Sequence, residues 1–227
     1  MPNVVVVGSG SAFPQSATTP TRSETLEELC SYVGGEESTL QQARAGRSYN
    51  GAVRAFNDVL WKFNRLVNDI TLAAGATFPL TAAFAAPVRA CLVDSNDKEV
   101  SPVTWVEWGA FVDAKQPDTG TGPAPSAYSC RNVHETGIVN VWPTLGSTLT
   151  YPTLRIYYFR RILAVSGPDD RLNVPEEVYQ AIFRHALADF LGKAKDGAGR
   201  AAAEWQIAAQ MRARVEQVHR DYQDWGH

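Results

Sequence analysis

The sequence predicts an α+β fold: an antiparallel helical bundle, made of a long central helix and C-terminal helices, with an inserted small β-rich domain of sandwich-like character. Three observations predict it. Residues 47–72, RSYNGAVRAFNDVLWKFNRLVNDITL, place Tyr49, Val53, Phe56, Leu60, Phe63, Val67 and Ile70 at alternating spacings of four and three, which makes one continuous apolar stripe on a helix. Two further amphipathic patterns of helical period lie near the C-terminus. Between them, from Gly75 to about residue 165, the period moves from 3.6 towards 2, in short β-prone runs separated by turn residues. The expected organisation is a flexible N-terminal arm at 1–23, a helical bundle from 24–74 and 166–227, and the β-rich insert at 75–165.

The arm is rich in Ser, Thr, Pro and Gly and holds a single charge, Arg22. A short helix should follow, with Thr25 and Glu28 as a capping box and Leu26, Leu29, Cys30 and Val33 on one face. Gly34 and Gly35 should end it. Residues 36–46 offer a helical turn or two before Gly46. The long helix then runs to about Leu72, with Arg54, Asp58, Lys62, Arg65 and Asp69 mostly off the stripe and no proline inside it. Seven turns of helix span roughly 35–40 Å, so it needs partners along its length.

In the insert, ATFPL (76–80) reads as a short strand. VRACLVD (88–94) and EVSPV (99–103) read as a hairpin turning at Ser95-Asn96-Asp97-Lys98, with Pro102 placing its strand at an edge or end. TWVEWGAFVDA (104–114) reads as a helix capped by Thr104 and Glu107. A loop at 115–125 leads to a second hairpin, 126–132 with 137–143, and TLRIYYFRR (153–161) is a strong strand. The last two helices follow. One starts near Pro175 with acids in its first turn and buries Val178, Ile182, Ala186 and Phe190, flanked by Phe183 and Leu187. After the break KDGAG, the other carries Trp205, Ala208, Met211, Val215, Val218 and Tyr222.

Composition narrows the function. The net charge is −3 and the sequence pI about 5.8, which argues against a dedicated nucleic-acid binder. Three distant cysteines, Cys30, Cys91 and Cys130, suit buried thiols rather than a disulfide framework. No apolar run reaches membrane-spanning length, and the start MPNVVVVGSGSA lacks the pattern of a signal peptide. A cytosol-like site of synthesis is expected. Gly8-x-Gly10 after VVVV suggests a dinucleotide loop, but Phe13 and Pro14 stand where the third glycine and a helix should be. The histidines His134, His185, His219 and His227 show no metal-ligand spacing, and there is no C-x-x-C. The expectation is no catalytic, cofactor or metal site. Arg155, Arg160 and Arg161 interleave with aromatics as in single-strand binders, yet the acidic balance favours a sheet surface packed on its neighbours. Trp205 and Trp225, of six tryptophans, sit on or just beyond the last helix, where tryptophan suits an interface.

Three stretches, TLEELCSYVG, GIVNVWPTLGSTLTYPTLRIYYFRR, and NVPEEVYQAIFRHALADFL followed by RAAAEWQIAAQMRARVEQVHRDYQDW, together resemble the head-to-tail adaptor (connector) proteins of tailed bacteriophages. They cover about two thirds of the chain in the family's order. The resemblance implies a non-enzymatic virion protein of the neck, assembled in the host cytoplasm. It implies a homo-oligomeric ring, commonly of twelve copies, bound to the portal on one side and to tail or tail-completion proteins on the other. Genomic DNA would pass through its channel without sequence-specific binding, and no membrane is involved. The closing helices of such proteins tend to dock on the portal, so Trp205, Arg212, Arg214, Arg220, Tyr222 and Trp225 are the expected portal contacts. The rival readings are another tail-completion or tail-tube ring component, or a nucleotide-binding enzyme using Gly8-x-Gly10.

Overall fold

The apolar stripe at 47–72 does not form one helix. In the computed structural model, which describes residues 19–33, 38–115, 120–133, 136–194 and 197–220, helix α2 ends at Ala55 and a strand begins at Arg65. This overturns the expected bundle with a small insert. The architecture is mixed α/β, with an eight-stranded sheet and five α-helices among the described residues. Among the described residues one unit comprises 64–161 and the other 19–63 with 162–220.

The helical unit starts earlier than the sequence suggests. Helix α1 spans Arg22–Ser31, and its capping box is Thr21 with Glu24 rather than Thr25 with Glu28. Thr25 instead donates to the Thr21 carbonyl at 2.8 Å and meets the Tyr179 hydroxyl at 2.9 Å. The end of the expected arm is tied down: Arg22 N–H donates to the Asp170 carbonyl at 2.8 Å, Ser23 N–H to that of Pro168 at 2.9 Å, and Arg171 to that of Thr19. Residues 1–18 and the Gly34-Gly35 stop lie outside the described residues.

Helix α2 runs Thr39–Ala55, straight through Gly46, with Ser38 and Gln41 as its capping box. A Cβ at Gly46 would sit 3.2 Å from the Arg22 Nη2 of α1, so glycine here permits close packing rather than a break. Tyr49, Ala52, Val53 and Phe56 are all buried as the stripe predicts. What stops the helix is tertiary. A 3-10 turn at Phe56–Asp58 gives way to extended backbone at Val59. Asn57 donates to the Ile162 carbonyl at 2.9 Å and accepts the Ile162 N–H at 2.7 Å. Trp61 Nε1 donates to the Phe56 carbonyl at 2.6 Å, and Arg212 to the Ala55 carbonyl at 3.1 Å. The orphan carbonyls of a helix end need such partners, and here side chains supply them. Helix α4, Glu176–Gly192, buries all of Val178, Ile182, Phe183, Ala186, Leu187 and Phe190. Helix α5, Ala198–His219, packs on it.

The sheet unit begins with β1, Arg65–Thr71. Asn68 and Ile70 face inward while Val67 is 41% exposed. The same letters that continue a 3.6 period also alternate, and pairing with a distant strand decides between them. The remaining strands are β2 (Gly75–Pro79), β3 (Phe84–Val93), β4 (Glu99–Trp105), β5 (Thr121–Gly122), β6 (Ala127–Val133), β7 (Thr136–Leu145) and β8 (Thr153–Arg160). Their order is β1-β8-β3-β4-β6-β7-β2, with β5 beside β7. Pairing is antiparallel except for β4 with β6 and β5 with β7. Both expected hairpins form, β3 with β4 and β6 with β7. The Asp94 carboxylate accepts the N–H groups of Asn96 and Lys98 in the first turn, and Asp97 takes φ 63°.

Two local expectations fail. The strand holding Pro102 is internal, but Pro102 faces Cys91 of β3, and β6 bonds only at Thr104–Trp105, so the proline costs no ladder bond there. Helix α3 spans Trp108–Lys115 rather than 104–114. Thr104 and Trp105 belong to β4, and Glu107 caps α3 by accepting the N–H of Gly109 at 3.0 Å. Leu154, Ile156 and Tyr158 of β8 are fully buried in this unit's core with Tyr128, Val139 and Val141. The Trp142–Pro143 bond is cis.

Candidate functional site

Helix α5 holds three of the expected contact residues, Trp205, Arg212 and Arg214, and the structure gives them different tasks. Ala201, Ala208 and Val215, seven residues apart, form its buried seam. Arg212 lies on the same side. Its guanidinium bonds Asp58 at 2.8 Å, Glu216 at 2.7 Å and the Ala55 carbonyl, and its carbon lies 5.1 Å above the Phe56 ring. Burial works against this charge, but Glu216 and Asp58 outweigh it, and the pKa lies above the usual arginine value. A cation at the C-terminus of α2 also meets the negative end of its dipole. Arg212 is therefore an anchor that fixes α5 to α2.

Trp205 is 40% exposed, with its ring 4.7 Å from that of His185 in an edge contact. His185 in turn meets Phe56 edge-on at 6.1 Å. Burial, with Arg212 nearby, lowers the His185 pKa. Phe56, Trp61 and Phe63 stack beneath, at 5.8 Å between successive rings, and His219 closes the stack with an edge on Phe63. His219 also bonds Glu177 of α4 at 2.8 Å. Glu177, whose own N–H and His219 hold its pKa down, lines a groove of about 350 Å³ with Met211, Arg214, Val215, Val218 and His219. Arg214 is exposed and makes no ion pair among the described residues. Val218 is 58% exposed and Ile207 40%. Arg220 lies 3.8 Å from Glu216 and its backbone bridges to Trp61. Tyr222 and Trp225 lie outside the described residues, as do His134, His227 and the Gly8-x-Gly10 stretch.

The arginine-aromatic strand is built differently from a nucleic-acid surface. Arg155 of β8 bonds Asp69 of β1 and, at 2.6 Å, Asp97; Arg89 of β3 pairs with Glu99 of β4 and lies 4.1 Å over the Tyr157 ring. Tyr157 donates to Glu99 at 2.6 Å. Arg89, with Tyr157, pulls the Glu99 pKa down to about 2. Acids from three neighbouring segments thus neutralise these arginines. Sequence reasoning missed this ladder because Asp69 was read into a helix. Among the described residues no group of three or more His, Cys, Asp or Glu side chains could hold a metal ion, and no helix is long and apolar enough to cross a membrane.

The model of the family described as SU10 adaptor protein matches residues 21–226. Among solved structures, the chain is similar to one described as the neck of an empty GTA particle computed with C6 symmetry. That match has 17% identity and a TM-score of 0.30, and covers 82% of this chain and 80% of that one. Another, the neck of a native GTA particle computed with C12 symmetry, matches at 16% identity and a TM-score of 0.29, covering 76% and 79%. No curated protein matches the chain.

Proposed function

The chain belongs to the SU10 adaptor protein family, whose model spans nearly all of it, and on that premise we propose how it works. It is a head-to-tail adaptor, a structural protein of the virion neck. In our reading twelve copies form a ring in the host cytoplasm, seated on the portal on one side and receiving tail or tail-completion proteins on the other. DNA passes through the ring without sequence-specific contacts, and the subunit performs no catalysis and needs no cofactor. The acidic balance supports this, since a channel of net negative charge does not hold a polyanion.

The portal contact we assign to the exposed surface at α5: Arg214 and Arg220, and the exposed part of Trp205, directly, with Tyr222 and Trp225 following in the chain. Arg212 contributes by fixing the helix. The observation that carries this is the groove with the exposed Val218 at its rim and Arg214, which makes no ion pair among the described residues, an apolar centre beside a cation suited to carboxylates. The test is co-sedimentation of the full chain with portal-bearing particles. Arg214→Glu combined with Val218→Asp changes only exposed positions, so the fold should survive and particle binding should be lost. Binding at wild-type stoichiometry would refute the assignment.

A further inference from the structure

Helix α2 has a second face. Opposite the buried Ala45, Tyr49, Ala52 and Val53 lie Arg44, Arg47, Gly51 and Arg54, at spacings of three, four and three, all exposed. They form one straight stripe about 15 Å long at 1.5 Å per residue. The helix contains no acidic residue at all. None of the three arginines makes an ion pair among the described residues. A Cβ at Gly51 would meet nothing within 4 Å, so the middle of the stripe is open. Arg89 and Arg155 of the sheet ladder, by contrast, are paired with Glu99, Asp69 and Asp97.

Helix α1 shows the complement. Its sequence, RSETLEELCS, exposes Glu27 and Glu28. Its one base, Arg22, lies against α2 near Gly46. Glu24 is committed to the helix cap, where the Thr21 N–H and hydroxyl hold its pKa down. Glu27 accepts only from Ser23 on its own helix. One subunit therefore carries a cationic stripe on one helix and exposed carboxylates on another. Complementary faces of this kind set register and orientation between proteins.

We propose that the α2 stripe of Arg44, Arg47 and Arg54 receives Glu27 and Glu28 on α1 of a second copy of this chain. The proposal rests on the ring reading above and names the faces that join its subunits. Two different faces make a head-to-tail contact, and such a contact closes a ring when its repeated rotation completes a full turn. Guanidinium groups match carboxylates in planar, paired hydrogen bonds. DNA is the other polyanion at hand, but arginines fixed on its phosphates would hold a duplex that has to slide.

The experiment supplies the full-length chain at limiting concentration to portal-bearing particles and counts bound copies per particle. Arg44→Glu with Arg47→Glu should lower the count at least ten-fold, and so should Glu27→Arg with Glu28→Arg. An equimolar mixture of the two variants should restore it, because each reversed face then meets its opposite in alternating copies. Arg44→Lys with Arg47→Lys, which keeps the charge, should retain most of it, and circular dichroism should show all variants folded. Failure of the mixture to restore binding would overturn the proposal. So would an arginine variant that assembles in full number, including one that instead weakens retention of DNA in a salt-dependent way; in both cases the adaptor reading would stand. A wild-type chain that joins no particle would overturn both together.

Discussion

The two closing helices are close neighbours in sequence and each carries an apolar stripe, the weaker one on α5, yet α4 buries ten of its seventeen residues and α5 three of its twenty-two. The difference lies in their neighbours. Helix α4 packs against α1, α2 and α5, whereas α5 packs chiefly on α4. Periodicity marks the face that can be buried; the number of packed elements decides how much is. Helix α5 is thus held by a narrow alanine and valine seam, by Arg212 and by the pairs His219–Glu177 and Arg184–Glu204, and among the described residues its other side is exposed.

The comparison can be broken most forcefully in α4. Ile182 is fully buried, and Ile182→Asp should cost several kcal/mol, comparable with the whole stability of a domain. Urea denaturation should find no folded helical unit; a measurable native baseline would show α4 to be less central. In α5, Val215→Ala removes two methyl groups from the seam and should cost about 2 kcal/mol, leaving the unit folded. Asn57→Ala strands both backbone groups of Ile162 and should cost about 1–3 kcal/mol; a loss near zero would mean that the end of α2 is set elsewhere.

A smaller effect concerns His185, lodged between the two helices. Burial, then Arg212, lowers its pKa in the fold, while Asp189 and Asp58 oppose the shift. The folded state therefore prefers the neutral ring. This contribution is complete above the ordinary value of 6.5 and is lost as the pH falls through it towards the lowered one. Stability at pH 5.5 should be below that at pH 7.5, and His185→Gln should remove that part of the difference; an unchanged slope would exclude His185 as its source. The smallest effect is expected outside the seam. Arg54→Ala and Ile207→Gln should each change stability by less than about 0.5 kcal/mol, and a larger loss from Ile207→Gln would show that the outer side of α5 is already in use within the subunit.

The sequence by itself determined much of the local structure. The apolar faces of α1 and α4, the first half of the central stripe, both hairpins and β8 follow from spacing, β-branched residues and turn chemistry, which act over a few residues. The family resemblance was also legible there, in the order of three stretches. Residue type, the KDGAG break and the resemblance mark Arg212 as a cation on a docking helix, but not as the anchor of α5.

Only the tertiary structure decided where the central helix ends. Nothing between Ala55 and Arg65 is a glycine or proline, and the stripe runs on without a fault. The end is made by groups far away: Ile162, 105 residues on, bonds Asn57, and Arg212, 157 residues on, takes the Ala55 carbonyl. Arg65–Thr71 then becomes a strand because β8 lies beside it, from Arg65 opposite Phe159 to Thr71 opposite Thr153. Those letters satisfy both periods. A helix satisfies its backbone from within, and a strand only from another strand, so the choice between them belonged to the partner.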